Sequence, residues 1–106
     1  MATGRVQRWG LWKDERLVGF VEVVGRPPLL WISRLGVHKT FQGQGYGQQV
    51  LEKLIGQLRR NRRIAELRAA VHAENLPARR LFEKLGFSQL SQEAVDNELI
   101  YALSLR

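Results

Sequence analysis

One stretch constrains this chain more than any other. From Leu35 it reads Leu-Gly-Val-His-Lys-Thr-Phe-Gln-Gly-Gln-Gly-Tyr-Gly and then continues with helical periodicity to Arg60. Leu35 and Val37 close an apolar strand, Gly43, Gly45 and Gly47 stand at every second position, and Val50, Leu51, Leu54, Ile55 and Leu58 recur on one helical stripe. A residue without Cβ takes positive φ and lets a ligand lie against the main chain. The first N–H groups of the helix that follows have no internal partner, and the aligned peptide dipoles add partial positive charge there. Strand, glycine loop and helix in that order make an anion site at a helix N-terminus, and a pyrophosphate suits it. No Gly-Lys-Ser/Thr follows the glycines, and their spacing is not G-x-G-x-x-G, so the stretch is neither a P-loop nor a dinucleotide-binding turn.

The flanking sequence supplies a sheet. Val6 to Lys13 and Arg16 to Val24 read as a hairpin joined through Lys13-Asp14-Glu15-Arg16. In its second strand Leu17, Gly19, Val21 and Val23 share one face, while Val18, Phe20, Glu22 and Val24 share the other, so Glu22 stands among apolar neighbours. Gly25-Arg26-Pro27-Pro28 breaks the alternation and predicts a turn. Leu29 to Val37 is a third, more apolar strand, and Ile64 to His72 a fourth. Strand, helix, strand in one sheet is a right-handed crossover, which makes the third and fourth strands parallel. Asn75 caps a short helix that carries Pro77 in its first turn and ends at Gly86. Phe87 to Leu90 and Glu98 to Leu105, joined by Ser91 to Asn97, complete the sheet as an antiparallel pair. The expected fold is α/β (α+β), one domain over residues 1–106, with a mixed twisted sheet of about six strands and two helices.

Gln42-Gly43-Gln44-Gly45-Tyr46-Gly47 matches the Gln/Arg-x-x-Gly-x-Gly/Ala signature of the GNAT N-acetyltransferase superfamily. A second block, Val71-His72-Ala73-Glu74-Asn75-Leu76-Pro77-Ala78-Arg79-Arg80-Leu81-Phe82-Glu83-Lys84-Leu85-Gly86-Phe87, resembles that family's next motif at the expected separation. The resemblance runs from about Arg16 to the C-terminus. It implies acetyl-CoA as co-substrate, no metal, and direct attack of an amine on the acetyl thioester. By the same resemblance Gln42, Gly43, Gln44, Gly45, Tyr46, Gly47 and Gln48 hold the pyrophosphate, and Asn75, Ala78 and Phe82 border the pantetheine arm. Splayed parallel strands put the backbone of Leu35, Gly36 and Val37 against that arm, with a strand N–H of Leu35 or Val37 aimed at the thioester oxygen.

Proton handling departs from the family pattern. Phe82 stands where many relatives carry the tyrosine that protonates the departing thiolate, and a phenyl ring cannot donate. Arg34 and Ala70 occupy two positions where relatives place an acid. The remaining general bases are His72, Glu22 and His38, beside an ordered water chain. Arg34 either faces the cleft, favouring a small anionic amine as acceptor, or pairs with Glu22 across adjacent strands. These departures leave a second reading beside the enzyme, a CoA-binding module without catalysis.

The family usually carries a strand and two helices before the hairpin that begins here near Val6. A minimal enzyme, a wall borrowed from a partner and a truncated product all match that difference. Uncovered surface of this kind predicts a homodimer, with Trp9, Trp12 and Trp31 as contributors. The chain has 17 Lys and Arg against 10 Asp and Glu, a net +7 that attracts anions such as CoA. The run Arg59-Arg60-Asn61-Arg62-Arg63 is where nucleic acid would bind, but the reading preferred is a solvated cluster complementing the helix C-terminus. With no cysteine, no signal peptide and no apolar run of membrane length, the expected location is the cytoplasm, away from membranes.

Overall fold

The computed structural model describes residues 5–90 and 94–106. Strands β1 (Arg5–Lys13) and β2 (Arg16–Arg26) form an antiparallel hairpin, turned by Asp14 and Glu15 at φ of 48° and 65°. Positive φ at both central residues twists the turn in the sense the strands need. Pro27 and Pro28 then turn the chain into β3 (Leu29–Val37). Helix α1 (Tyr46–Arg59) crosses to β4 (Glu66–His72), and α2 (Leu76–Lys84) leads to β5 (Ser88–Gln89) and β6 (Glu98–Ser104). The sheet order is β1-β2-β3-β4-β6-β5, parallel only between β3 and β4, as the crossover predicts. Of the expected connection Ser91 to Asn97, residues 91–93 lie outside the described residues.

Residues opposite one another in register share a face, so Val23, Ile32, Ala69 and Tyr101 mark one side of the sheet from β2 to β6. Both helices pack on that side. Val50, Leu51, Leu54, Ile55 and Leu58 of α1 are buried against it, and Phe82 of α2 stacks on Tyr101 with ring centroids 6.2 Å apart. Each such aliphatic side chain contributes about 1.5–3 kcal/mol of burial, which outweighs any propensity term in holding a helix of this length. Val24, Trp31, Arg68 and Ala102 mark the other side, which no described helix covers. No described helix is long and apolar enough to cross a membrane.

Two expectations change. Leu17 does not share the core face with Val21; it is 43% exposed, whereas Val18 is fully buried. Leu11 pairs with Gly19 and Trp12 with Leu17, so Val18 is an extra residue in β2, and a bulge resets the alternation there. The three tryptophans also divide. Trp9 packs against the core, Trp31 lies half-buried beneath the Arg68 guanidinium at 5.8 Å, and Trp12 alone is largely exposed.

Candidate functional site

The parallel ladder between β3 and β4 runs from Leu29–Glu66 to Ile32–Ala69 and stops. Beyond it β3 continues to Val37 beside β2, and β4 continues to His72 beside β6. The strands part at a second bulge: Glu22 faces Arg34 and Val23 faces Ile32, so Ser33 is the extra residue in β3. A cleft of about 200 Å³ opens between them. Arg34 and Leu35 line it from β3, Ala70, Val71 and His72 from β4, and Asn75, Ala78 and Phe82 from α2. Six residues singled out in the sequence, Arg34, Leu35, His72, Asn75, Ala78 and Phe82, thus meet in one place.

The parting exposes backbone. His38 N–H donates to the Val18 carbonyl at 2.9 Å, so by the two-residue alternation the polar groups of Gly36 turn toward β2 and those of Leu35 and Val37 turn away from it. No strand pairs these two on the cleft side. The Val37 carbonyl takes a hydrogen bond from Gln42 Nε2 at 3.3 Å, which ties the loop to the strand end. Unpaired N–H and C=O groups along a strand are a template for an extended ligand that carries amides.

The loop adds a second set of orphan donors. Gly43 and Gly45 have φ of 82° and 81°, and a Cβ built on either meets nothing within 4 Å. Gly45 is the N-cap of α1 and supplies no side-chain acceptor, so the amides of Tyr46, Gly47 and Gln48 have no capping partner. No acid stands in the first turn. Lys13 Nζ lies 5.7 Å from the Tyr46 ring, which puts one cation beside the helix start. Gly47 sits between Leu81 of α2 and Val37 of β3, where a Cβ would stand 3.7 Å from each, which sets the helix N-terminus at the mouth of the cleft. Uncapped amides, open space over two left-handed glycines and an unpaired strand edge together fit a pyrophosphate joined to an amide-bearing arm.

The proposed bases separate. His72 lines the cleft, but its Nδ1 accepts the Glu74 N–H at 3.2 Å, so the neutral ring carries its proton on Nε2. His38 lies outside the cleft lining and is engaged in the same way, by the Thr40 N–H at 3.2 Å. Glu22 also stands outside the lining; its carboxylate accepts from Ser33 Oγ at 3.0 Å and pairs with Arg8 Nε at 2.7 Å. The Ser33 hydroxyl foremost, then Arg8 and Arg34, hold this carboxyl below its usual range against the opposing effect of burial. Of the two readings of Arg34, the pair with Glu22 is not formed among the described residues. Arg8, directly opposite on β1, takes that place, and Arg34 is exposed at the cleft with no hydrogen bond or ion pair among the described residues.

Phe82 is 4% exposed, edge-on to Phe87 at 5.0 Å. Arg79, about one turn before it, and Glu83, the residue after it, meet the buried Tyr101 hydroxyl, which accepts from Arg79 Nε at 3.0 Å and donates to Glu83 at 2.9 Å. Arg79 also donates to the Ala73 carbonyl at 3.1 Å. This network fixes α2 over β6 and so fixes the cleft wall. Sequence reasoning passed over it, and over Ser33, because neither contact has a local signal; only the i, i+4 spacing of Arg79 and Glu83 hinted at a common partner.

The sequence profile of the acetyltransferase (GNAT) family matches residues 2–87. Among solved structures, the ribosomal-protein-S18-alanine N-acetyltransferase from Escherichia coli superposes with a TM-score of 0.84 at 27% identity, covering 95% of this chain and 70% of that one. The PaiA N-acetyltransferase from Thermoplasma acidophilum, in complex with coenzyme A, gives 0.81 at 20% identity over 93% of this chain and 60% of that one. The IAA acetyltransferase from Bacillus cereus gives 0.80 at 17% over 94% and 78%. No curated protein sequence matches the chain.

Proposed function

The chain belongs to the acetyltransferase (GNAT) family, and from that footing we propose that it moves an acetyl group from acetyl-CoA to a primary amine by direct attack. One observation carries the reading: β3 leaves β4 after Ile32–Ala69, which leaves Leu35 and Val37 without a β4 partner beside an uncapped helix N-terminus. Bound there, acetyl-CoA supplies the thioester. Residues 42–48 hold its diphosphate through main-chain N–H groups, and Leu35, with Gly36 keeping the strand flat against β2, pairs with the amides of its arm. A Leu35 or Val37 N–H stabilises negative charge on the acyl oxygen, a contact worth about 3–4 kcal/mol of barrier. His72 takes the amine proton at Nδ1 when the Glu74 N–H lets go, with solvent at the exposed Ala70 as the next stop.

Arg34, exposed at the cleft and without a partner among the described residues, selects an acceptor that carries a carboxylate or phosphate beside its amine. Release of CoA thiol from acetyl-CoA with a panel of acidic, basic and aromatic amines tests this, and the name of the E. coli neighbour adds an alanine-ended peptide to the panel. Arg34→Ala is expected to raise KM about tenfold for acidic amines and to leave neutral ones unchanged. Thiol release that favours polyamines instead would overturn the acceptor class.

A second reading, a CoA-binding module without turnover, draws on Phe82 and on the lack of any carboxylate among the residues lining the cleft. Binding without thiol release across the whole panel would decide for it. The helix-free face of the sheet, with Val6 51% exposed and Trp31 half-buried, supports a homodimer. A monomeric mass by light scattering would remove that part of the proposal.

A further inference from the structure

Two cavities lie at the other end of the sheet, about 20 Å along α1 from the glycine loop. Their volumes are about 370 and 670 Å³, both larger than the cleft, and they adjoin across Asn61 and Ile64. The larger has an apolar floor of Trp9, Leu30, Leu58 and Ile64, with the carboxamides of Gln7 and Gln57 on its walls. Arg59, Arg62 and Arg106 line the smaller, and Arg63 stands at the larger. The run that sequence alone assigned to a solvated helix end therefore rims a groove. The turn is built for this: Asn61 Oδ1 accepts the Arg63 N–H at 3.0 Å, and the Arg106 guanidinium donates to the Arg62 carbonyl. None of Arg59, Arg62, Arg63 and Arg106 forms an ion pair with an acid among the described residues.

We propose that this groove binds single-stranded nucleic acid. Four arginines lining two adjoining cavities suit a polyanion such as a phosphate backbone, since arginine presents planar paired donors that match phosphate oxygens. Acidic peptides would satisfy the arginines equally, so the choice rests on the floor. The indole of Trp9 offers an apolar face on which a base stacks, and Gln7, Gln57 and Asn61 offer both donors and acceptors, which base edges use and carboxylates do not. The site shares no lining residue with the cleft, so nucleic acid and CoA bind independently.

The test is anisotropy of a labelled oligouridylate titrated with the full chain over a salt series. Wild type is expected to bind with log K falling linearly in log salt, by about 0.7 per phosphate neutralised. The triple variant R59Q/R62Q/R63Q is expected to weaken binding at least about tenfold at low salt and to lower that slope by about 2, reflecting three lost phosphate contacts. Trp9 fluorescence should be quenched on binding in wild type. Arg80→Gln, a single charge removed from the exposed side of α2, is the control for net charge and should change affinity less than threefold, in line with an ordinary solvated contact. The substituted arginines are exposed, so the melting temperature and the CoA affinity by calorimetry should match wild type and separate this result from the acetyl-donor reading. The proposal is overturned if wild type does not bind, if Arg80→Gln loses as much as the triple variant, or if polyglutamate displaces the oligomer at equal charge concentration.

Discussion

Ile32 and Ala69 are the last residues at which β3 and β4 lie side by side. The opening between the two strands begins at that pair. Before it, both strands spend their polar groups on each other. After it, each keeps its outer neighbour and loses its inner one, so hydrogen-bonding capacity stands open between two rigid walls. Had the ladder run on by another few residues, Leu35 would be an ordinary central-strand residue and the glycine loop would face a closed sheet.

Gly45→Val should lower CoA affinity by at least about tenfold. An added Cβ meets nothing within 4 Å in the free protein, so the loss comes from two other sources. A β-branched residue at φ of 81° is strained by roughly 1–2 kcal/mol, and its methyls occupy the space a diphosphate would use. Calorimetry with CoA measures it; equal affinities would mean the loop is not the anion site.

His72→Ala should cut kcat about a hundredfold while the KM for acetyl-CoA stays the same. Of the three bases considered, this is the one that lines the cleft, and it does not touch the glycine loop. An unchanged kcat would hand proton removal to water.

Phe82→Tyr should speed thiol release, by about tenfold or 1.4 kcal/mol of barrier, if the new hydroxyl serves the departing thiolate. Phe82 already forms cleft wall, so the ring stays and only an oxygen is added. A variant that melts earlier and turns over no faster would show the hydroxyl buried toward Phe87 instead.

Ser33→Ala should move the titration of Glu22 upward, because the Ser33 hydroxyl is the largest single contribution to its lowered value. The sign for stability follows. A carboxyl that titrates lower when folded than when unfolded adds stability that is complete above its unfolded pKa and disappears as pH falls through the folded one. Glu22→Gln should therefore flatten the acid limb of a stability curve, and nuclear magnetic resonance of the Glu22 carboxyl in the Ser33 variant gives the direct readout. A downward move would contradict the assignment of cause.

Tyr101→Phe should cost about 1–2 kcal/mol, since it removes a fully buried hydroxyl that both accepts from Arg79 and donates to Glu83. The urea midpoint should fall with an unchanged slope. No change would mean that water replaces the hydroxyl without loss and that α2 is held by Phe82 packing alone.

Much of this architecture was legible along the chain because its causes are local. Apolar spacing marked α1, the Asn75 cap and Pro77 marked α2, the prolines after Arg26 marked the turn, and the alternate glycines marked the loop before α1, where Gly43 and Gly45 take φ values only glycine adopts freely. The parallel order of β3 and β4 followed from the handedness of one crossover. That residues of α2 and β4 border the cleft was an expectation carried by the family resemblance of the block Val71 to Phe87, not by their spacing.

What the chain could not announce is register. Val18, with no counterpart in β1, put Leu17 outside, and Ser33, with no counterpart in β2, stands where the strands part, yet a bulge changes which residues face each other without altering the composition of either strand. Glu22 had two arginines within reach on neighbouring strands, and only the assembled sheet joined it to Arg8 and left Arg34 open to the cleft. The arginine run looked solvated because Trp9 and Ile64, more than fifty residues apart in sequence, form its floor only once β1 has been laid beside the end of α1. Local periodicity and glycine chemistry determined the elements and the anion loop; pairing offsets and long-range packing, which depend on the whole sheet at once, decided which side chains share a site.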